Sequence, residues 1–235
     1  MLIDKIVITG ADDSTDINDL LKLSAKFNKV EWGILKSKKC AYGPRFPSEE
    51  WIHKLRNQPI NFCFHNCGGL VRDVSNGKWG EINYSPRIQF NFGSRIKYVN
   101  IMKFVDNFPF KPPIDIIIQI SNNMDIYYTK IFTYALSWEL NKHIQILPFF
   151  DNSAGRGELT SEFKPPIHEI QGYAGGFSPD NIKDELNKIN IITNKNQHIW
   201  IDVETHVRTE DNLDMAKVED FLHNVEEWEL NQNKT

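Results

Sequence analysis

Short apolar runs recur along the whole chain, each followed by a polar loop and most by an amphipathic stretch. They occupy residues 5–9, 30–35, 61–65, 87–92, 114–120, 144–150, 172–174 and 199–203. β-Branched residues crowd most of them, and they read as continuous apolar stretches with no in/out alternation. Strands of that kind are covered on both faces, which a parallel sheet with crossover helices achieves. Helical spacing appears between the runs. Residues 17–27 place Leu20, Leu21, Leu23 and Phe27 on one face, and residues 48–55 begin at Ser48 after Pro47, with Glu49 and Glu50 in the first turn. Residues 125–141, 179–187 and 215–229 read as further helices, the fourth with Ser178 as cap and Pro179 at the first helical position, the last with a stripe of Val218, Phe221, Leu222, Val225 and Trp228. The helices after the third, fourth and sixth runs are short or indistinct.

Eight parallel strands in 235 residues can form an open or a closed sheet. Closure removes both edges, and no glycine-rich fingerprint follows the first strand as an open dinucleotide-binding sheet would require. The expected architecture is therefore a single (β/α)8 barrel, a TIM barrel, over residues 1–230, with a frayed tail at 231–235. Composition narrows the partners. A net charge of −4 advertises no polyanion-binding surface, so nucleic acid is not an expected partner. No apolar run is long enough for a membrane span, and the N-terminal residues read as a strand, not a leader. Cys40, Cys63 and Cys67 form a sparse, odd set, as expected of a cytoplasmic chain without a disulfide framework.

In a barrel the chemistry belongs to the loops that follow the strands. Here those ends are polar: residues 9–13, 65–69, Asn91, Gln119, 151–153, 175–176 and 202–208. In the stretch YAGGFSPDNI, Gly175 and Gly176 allow close backbone approach, and Ser178-Pro179 opens a helix whose free N–H groups face the same spot. That is a phosphate or anion cradle, or else a strand-to-helix turn that merely needs glycine. Asp151 ends an apolar strand before a glycine-containing loop that carries Arg156, and is a candidate general acid or base, or a capping residue. Arg45, in the stiff Gly43-Pro44-Arg45-Phe46-Pro47 loop, is a candidate grip for a substrate carboxylate or phosphate. Gln89 and Asn91 alternate with Phe90 and so face the barrel interior with Gln119, where buried amides must be hydrogen-bonded. His65 between Cys63 and Cys67 does not make a zinc-site spacing, so neither metal nor cofactor is expected.

Three stretches together resemble the last third of the phosphoribosylanthranilate isomerases: Asp151 with Gly155 and Gly157, then Gly175-Gly176-Phe177-Ser178-Pro179-Asp180-Asn181-Ile182, then Asp202-Val203-Glu204-Thr205-His206-Val207. Lys217-Val218-Glu219-Asp220-Phe221 is similar to that family's final helix. More loosely, Ile8-Thr9-Gly10 falls where the family has a K-I-C-G strand, and Gly33-Ile34-Leu35 with Arg45-Phe46 is similar to its second strand and substrate-facing arginine. The resemblance covers residues 144–222 and, more weakly, 1–50. It implies an Amadori-type sugar isomerisation in which an aspartate protonates the ring oxygen and a cysteine removes a proton from C2. Asp151 matches the acid. Thr9 stands in place of the cysteine, and a threonine hydroxyl cannot accept a proton at neutral pH. Asp12, in the same loop, is the nearest replacement, and its alternative role is to cap the following helix.

The phosphate end differs too: Glu204, Thr205 and His206 stand where the family has two serines and a glycine. A carboxylate repels a phosphate dianion unless Arg208 or His206 compensates. Glu204 and Asp151 could instead form an acid/base pair with pKa values pushed apart. The expectation is a diverged relative, monomeric or homodimeric, an enzyme of acid/base chemistry (isomerase, lyase or hydrolase) on its own sugar-derived small-molecule substrate, phosphorylated or not, and not the tryptophan-pathway isomerase. Candidate catalytic residues are Asp151, Glu204 and Asp12. Candidate substrate contacts are Thr9, Arg45, His65, Asn91, Gln119, Arg156, His206 and Arg208, with Gly175, Gly176 and Ser178 for phosphate. The alternative is a catalytically silent barrel that sequesters a phosphorylated or nucleotide-like ligand.

Overall fold

A computed structural model describes residues 1–39, 43–80, 82, 84–100, 103–104, 107–109, 114–121, 144–151 and 157–232, with backbone alone at 93–95. Eight strands close into a barrel in chain order, every pair parallel: β1 (Leu2–Thr9), β2 (Val30–Ser37), β3 (Phe62–Cys67), β4 (Arg87–Phe90), β5 (Ile114–Ile120), β6 (Ile144–Asp151), β7 (Ile170–Ala174) and β8 (His198–Val203). The last strand returns to the first, with Ile6 beside Ile201 and Ile8 beside Val203, so no edge is left open. With helices between its strands, this is the expected (β/α)8 barrel. The predicted helix at 125–141 lies outside the described residues.

The helices form where the chain satisfies their first N–H groups. Helix α1 (Ile17–Lys26) starts at Asp16, whose side chain accepts from the Asn18 amide, and Leu20 and Leu23 are its buried face. Asp12 is therefore not the cap of that helix. Helix α2 (Glu49–Arg56) starts at Ser48, which accepts from the Trp51 amide, as its sequence predicts. A single short turn, α3 (Gly69–Val74), follows β3, and a 3₁₀ turn (Gly93–Tyr98) follows β4. That turn takes Phe92 as its N-cap in a helical conformation, so β4 ends two residues before the expected boundary.

Helix α4 runs from Ile182 to Ile192, not from Pro179. Ser178 and Asn181 explain the delay: the Ser178 amide donates to Asn181 Oδ1 at 2.8 Å and the Asn181 amide to Ser178 Oγ at 3.2 Å. The two side chains close a turn ahead of the helix. Helix α5 (Met215–Gln232) buries the predicted stripe and continues past the expected end into the segment read as a frayed tail.

Alternate strand residues point into the barrel and stack in three layers. At the N-terminal base, Arg87 pairs with Glu31, sits 3.6 Å from Asp115 Oδ2, and Lys5 lies 3.7 Å from Glu31 Oε2. The middle layer is apolar: Val7, Cys63, Ile117, Leu147, Phe149 and Trp200 form one buried cluster. Trp200 receives the Arg87 guanidinium on its face at 4.9 Å and stacks on Phe149. Gly172 makes room for this: a Cβ there would lie 2.3 Å from the Trp200 ring and 2.7 Å from Phe149. The third layer opens on the C-terminal mouth.

Candidate active site at the barrel mouth

The mouth is built from inward-facing residues near the end of nearly every strand. Thr9 comes from β1, His65 from β3, Gln89 from β4, Gln119 from β5, Asp151 from β6 and Asp202 from β8, and all six line one cleft. Strand β2 brings Leu35 to the lining, and the absence of a side chain at its Gly33 is what lets the neighbours of that glycine meet. A Cβ on Gly33 would fall 2.2 Å from Thr9 Oγ1 and 2.8 Å from His65 Cε1. Into that gap Thr9 Oγ1 donates to Asp202 Oδ1 at 2.7 Å, while His65 Nδ1 stands 3.9 Å from Asp202 Oδ2.

Burial sets the protonation of this cluster. His65 is 2% exposed. Burial, helped by the positive charge of Arg87, pushes its imidazole down to about 3, so it is neutral at physiological pH. Asp202 is driven the other way. Burial raises its carboxyl well above the usual range, the Thr9 hydroxyl opposes this, and the neighbouring Glu204 and Asp151 carboxylates raise it further. Burial also raises Glu204, partly offset by Arg45, whose Nη1 donates to Glu204 Oε1 at 2.9 Å. Opposite them, Gln119 Nε2 donates to Asp151 Oδ2 at 2.7 Å and fixes how that carboxylate faces the cleft.

The rim is laced by the loop after β6. The Gly157 carbonyl accepts from His206 Nε2 at 2.8 Å, and the Thr160 amide donates to the Gly175 carbonyl at 3.2 Å. Glycine is required at this crossing. Gly157 (φ +70°) lies so close to Thr205 that a Cβ would stand 2.7 Å from it, and at Gly176 (φ +70°) a Cβ would meet the Leu159 backbone at 2.7 Å.

Of the residues proposed from sequence, Asp151, Glu204, Thr9, His65, Asn91, Gln119, His206, Gly175 and Gly176 come together on the cleft. Asp12, Arg45, Arg208 and Ser178 stand outside its lining. Asp12 accepts from the Ser14 amide at 2.9 Å and the Arg45 amide at 2.6 Å, so it fastens two loops. Arg45, in a left-handed conformation (φ +74°), divides its guanidinium between Glu204 and Asp211. Arg208 donates to the carbonyls of Gly10 and Asp211 and lies 3.5 Å from Asp12. Ser178 spends its amide on Asn181. Arg156 lies outside the described residues.

Sequence reading assigned no role to Asp202 and none to Gly33. The period of two along β8 was the signal for Asp202, since it shares a face with Trp200 and Glu204. Cys63 belongs to the middle layer, where burial pushes its thiol up, and Cys67 Sγ accepts from Asn91 Nδ2 at 3.3 Å. Among the described residues no group of three or more His, Cys, Asp or Glu is disposed to hold a metal ion, and no helix is long and apolar enough to cross a membrane. Comparison with known protein families finds no matching family model, and comparison with curated proteins finds no match.

Proposed function

We propose that the chain is an enzyme acting on a small sugar-derived molecule by proton transfer between carboxyl groups at the barrel mouth. One observation carries the reading: Asp151, Asp202 and Glu204 open on a single cleft whose described lining includes no lysine or arginine. Carboxyl groups crowded in a desolvated site cannot all ionise, so the site stores a proton and can deliver it. With Glu204 tied to Arg45, Asp202, which burial and its carboxylate neighbours raise well above the usual range, is the group that keeps that proton. Asp151, oriented by Gln119, faces it across the cleft as the partner in the transfer. Thr9 is a positioning residue, its hydroxyl directed at Asp202 and not at the open space. The resemblance to the phosphoribosylanthranilate isomerases makes isomerisation at a sugar carbon the reaction class of choice.

A binding-only barrel is the second reading, and the same Thr9 hydrogen bond favours it, because no base occupies the place where the isomerases have their cysteine. Solvent exchange separates the two. With a pool of aldoses, ketoses and their phosphates in D2O, an isomerase washes deuterium into carbon-bound positions of its substrate. Asp151→Asn should cut that exchange by about 10²-fold or more, the scale of general acid–base catalysis, without lowering the melting temperature. A ligand that stabilises the wild type yet shows no exchange would establish the binder.

A further inference from the structure

Gln89, on the floor of the cleft, is 2% exposed, and its Oε1 is buried with no hydrogen-bond partner. Which end of the amide faces the floor follows from its neighbours. The Cys67 thiol donates to the His65 carbonyl at 3.7 Å, so its sulfur is left to accept. The Asn91 group 3.3 Å from that sulfur is accordingly the donor Nδ2, and Asn91 Oδ1 turns to Gln89. Gln89 must meet it with Nε2, which donates at 2.9 Å. The acceptor Oε1 is left unmatched on this floor, with the amide oriented through Asn91 and Cys67. A buried acceptor without a donor costs stability and persists where a ligand completes it.

We propose that Gln89 Oε1 is the specificity-determining acceptor for a hydroxyl of an uncharged, polyhydroxylated substrate, and that a phosphate has no part in holding that substrate. This rests on the reading of the cleft as a sugar site and narrows its substrate class. A phosphate dianion brings no proton to Oε1, and on this floor it would meet Asp151, Asp202 and Glu204 in the same space. His65 is neutral and offers no charge. Arg45 is engaged by Glu204 and Asp211, Arg208 by backbone carbonyls, and both stand outside the lining. Of the glycine turn, the Ser178 amide is spent on Asn181, and Gly176 lies close against the Leu159 backbone. A sugar hydroxyl both donates to Gln89 and accepts from a protonated carboxyl, which suits every group on the floor.

The test titrates the full chain with D-ribose, ribitol, the mono-deoxy forms of each and ribose 5-phosphate, followed by calorimetry and melting temperature. The uncharged polyols should bind, with ribose 5-phosphate no tighter than ribose. Removal of one particular hydroxyl should weaken binding at least tenfold. In Gln89→Met the intact polyol should lose the same factor and the deoxy form should lose nothing. The unliganded variant should melt no lower than wild type, since Asn91 is half-buried and can take water in place of Nε2. Binding that requires the phosphate, equal affinity across the deoxy series, or unchanged affinity in Gln89→Met would overturn the proposal. The deoxy series decides the matter on the wild type alone should the variant fail to fold. Deuterium exchange on a phosphorylated sugar, lost in Asp151→Asn, would leave the acid/base reading standing while the substrate class fell.

Discussion

His65 shows how much of this site is a matter of what a single side chain is denied. Its imidazole gains no cationic state in the folded barrel, whereas in the unfolded chain it titrates near 6.5. Between pH 6.5 and about 3 the unfolded state therefore binds the extra proton, and stability falls as the pH falls through that window. A shift of that size corresponds to a contribution on the order of 4–5 kcal/mol at the acid end. Asp202 acts with the opposite sign, because its carboxyl is raised in the fold: its contribution is present at low pH and is lost as pH rises through its folded value. His65→Gln should flatten the acid limb below pH 6.5 in denaturant titrations run at a series of pH values. An unchanged slope between pH 6.5 and 3 would mean that the imidazole is not held neutral.

Individual elements show where a linear sequence informs and where it does not. All eight strands were legible because each is an apolar run between polar loops, and burial on both faces writes itself into composition. The inward set on β4 and β5 was legible from the period of two. Asp202 was harder to see, because it belongs to a strand end that reads equally as the start of a polar loop. The engagement of Arg45 by Glu204, 159 positions away, is a property of barrel closure and leaves no local mark. Gly33 and Gly172 were silent for another reason: inside an apolar run a glycine reads as neutral, and only the neighbouring strands reveal what its missing side chain admits. Helix α4 was misplaced by three residues because Ser178-Pro179 has the chemistry of a helix start, and the competing partner Asn181 satisfies the same groups first. On strand β7, Gly172→Ala should lower the unfolding free energy by about 1–3 kcal/mol, the usual penalty for overpacking, read from urea melts. The ring of Trp200 also carries the Arg87 guanidinium on a face and packs on Phe149, which leaves it little room to retreat. A neutral outcome would show that the strand gives way instead.

At the scale of the molecule, charge is confined to the two ends of the barrel interior and excluded from its waist. The base holds Lys5, Glu31, Arg87 and Asp115, and truncating one member strands the others. Arg87→Met should cost about 3–5 kcal/mol, as expected when a buried ion pair loses one partner, and adding Glu31→Gln should recover part of it. If the double variant is no more stable than Arg87→Met in the same urea melts, the base is not a coupled pair. Between base and mouth, Val7, Cys63, Ile117, Leu147, Phe149 and Trp200 are each at most 2% exposed. Among the described residues the barrel interior is thus stoppered between base and mouth. If the cleft turns over a substrate as proposed, product and precursor occupy the same space and exclude each other, so accumulated product should raise the apparent KM while leaving kcat untouched.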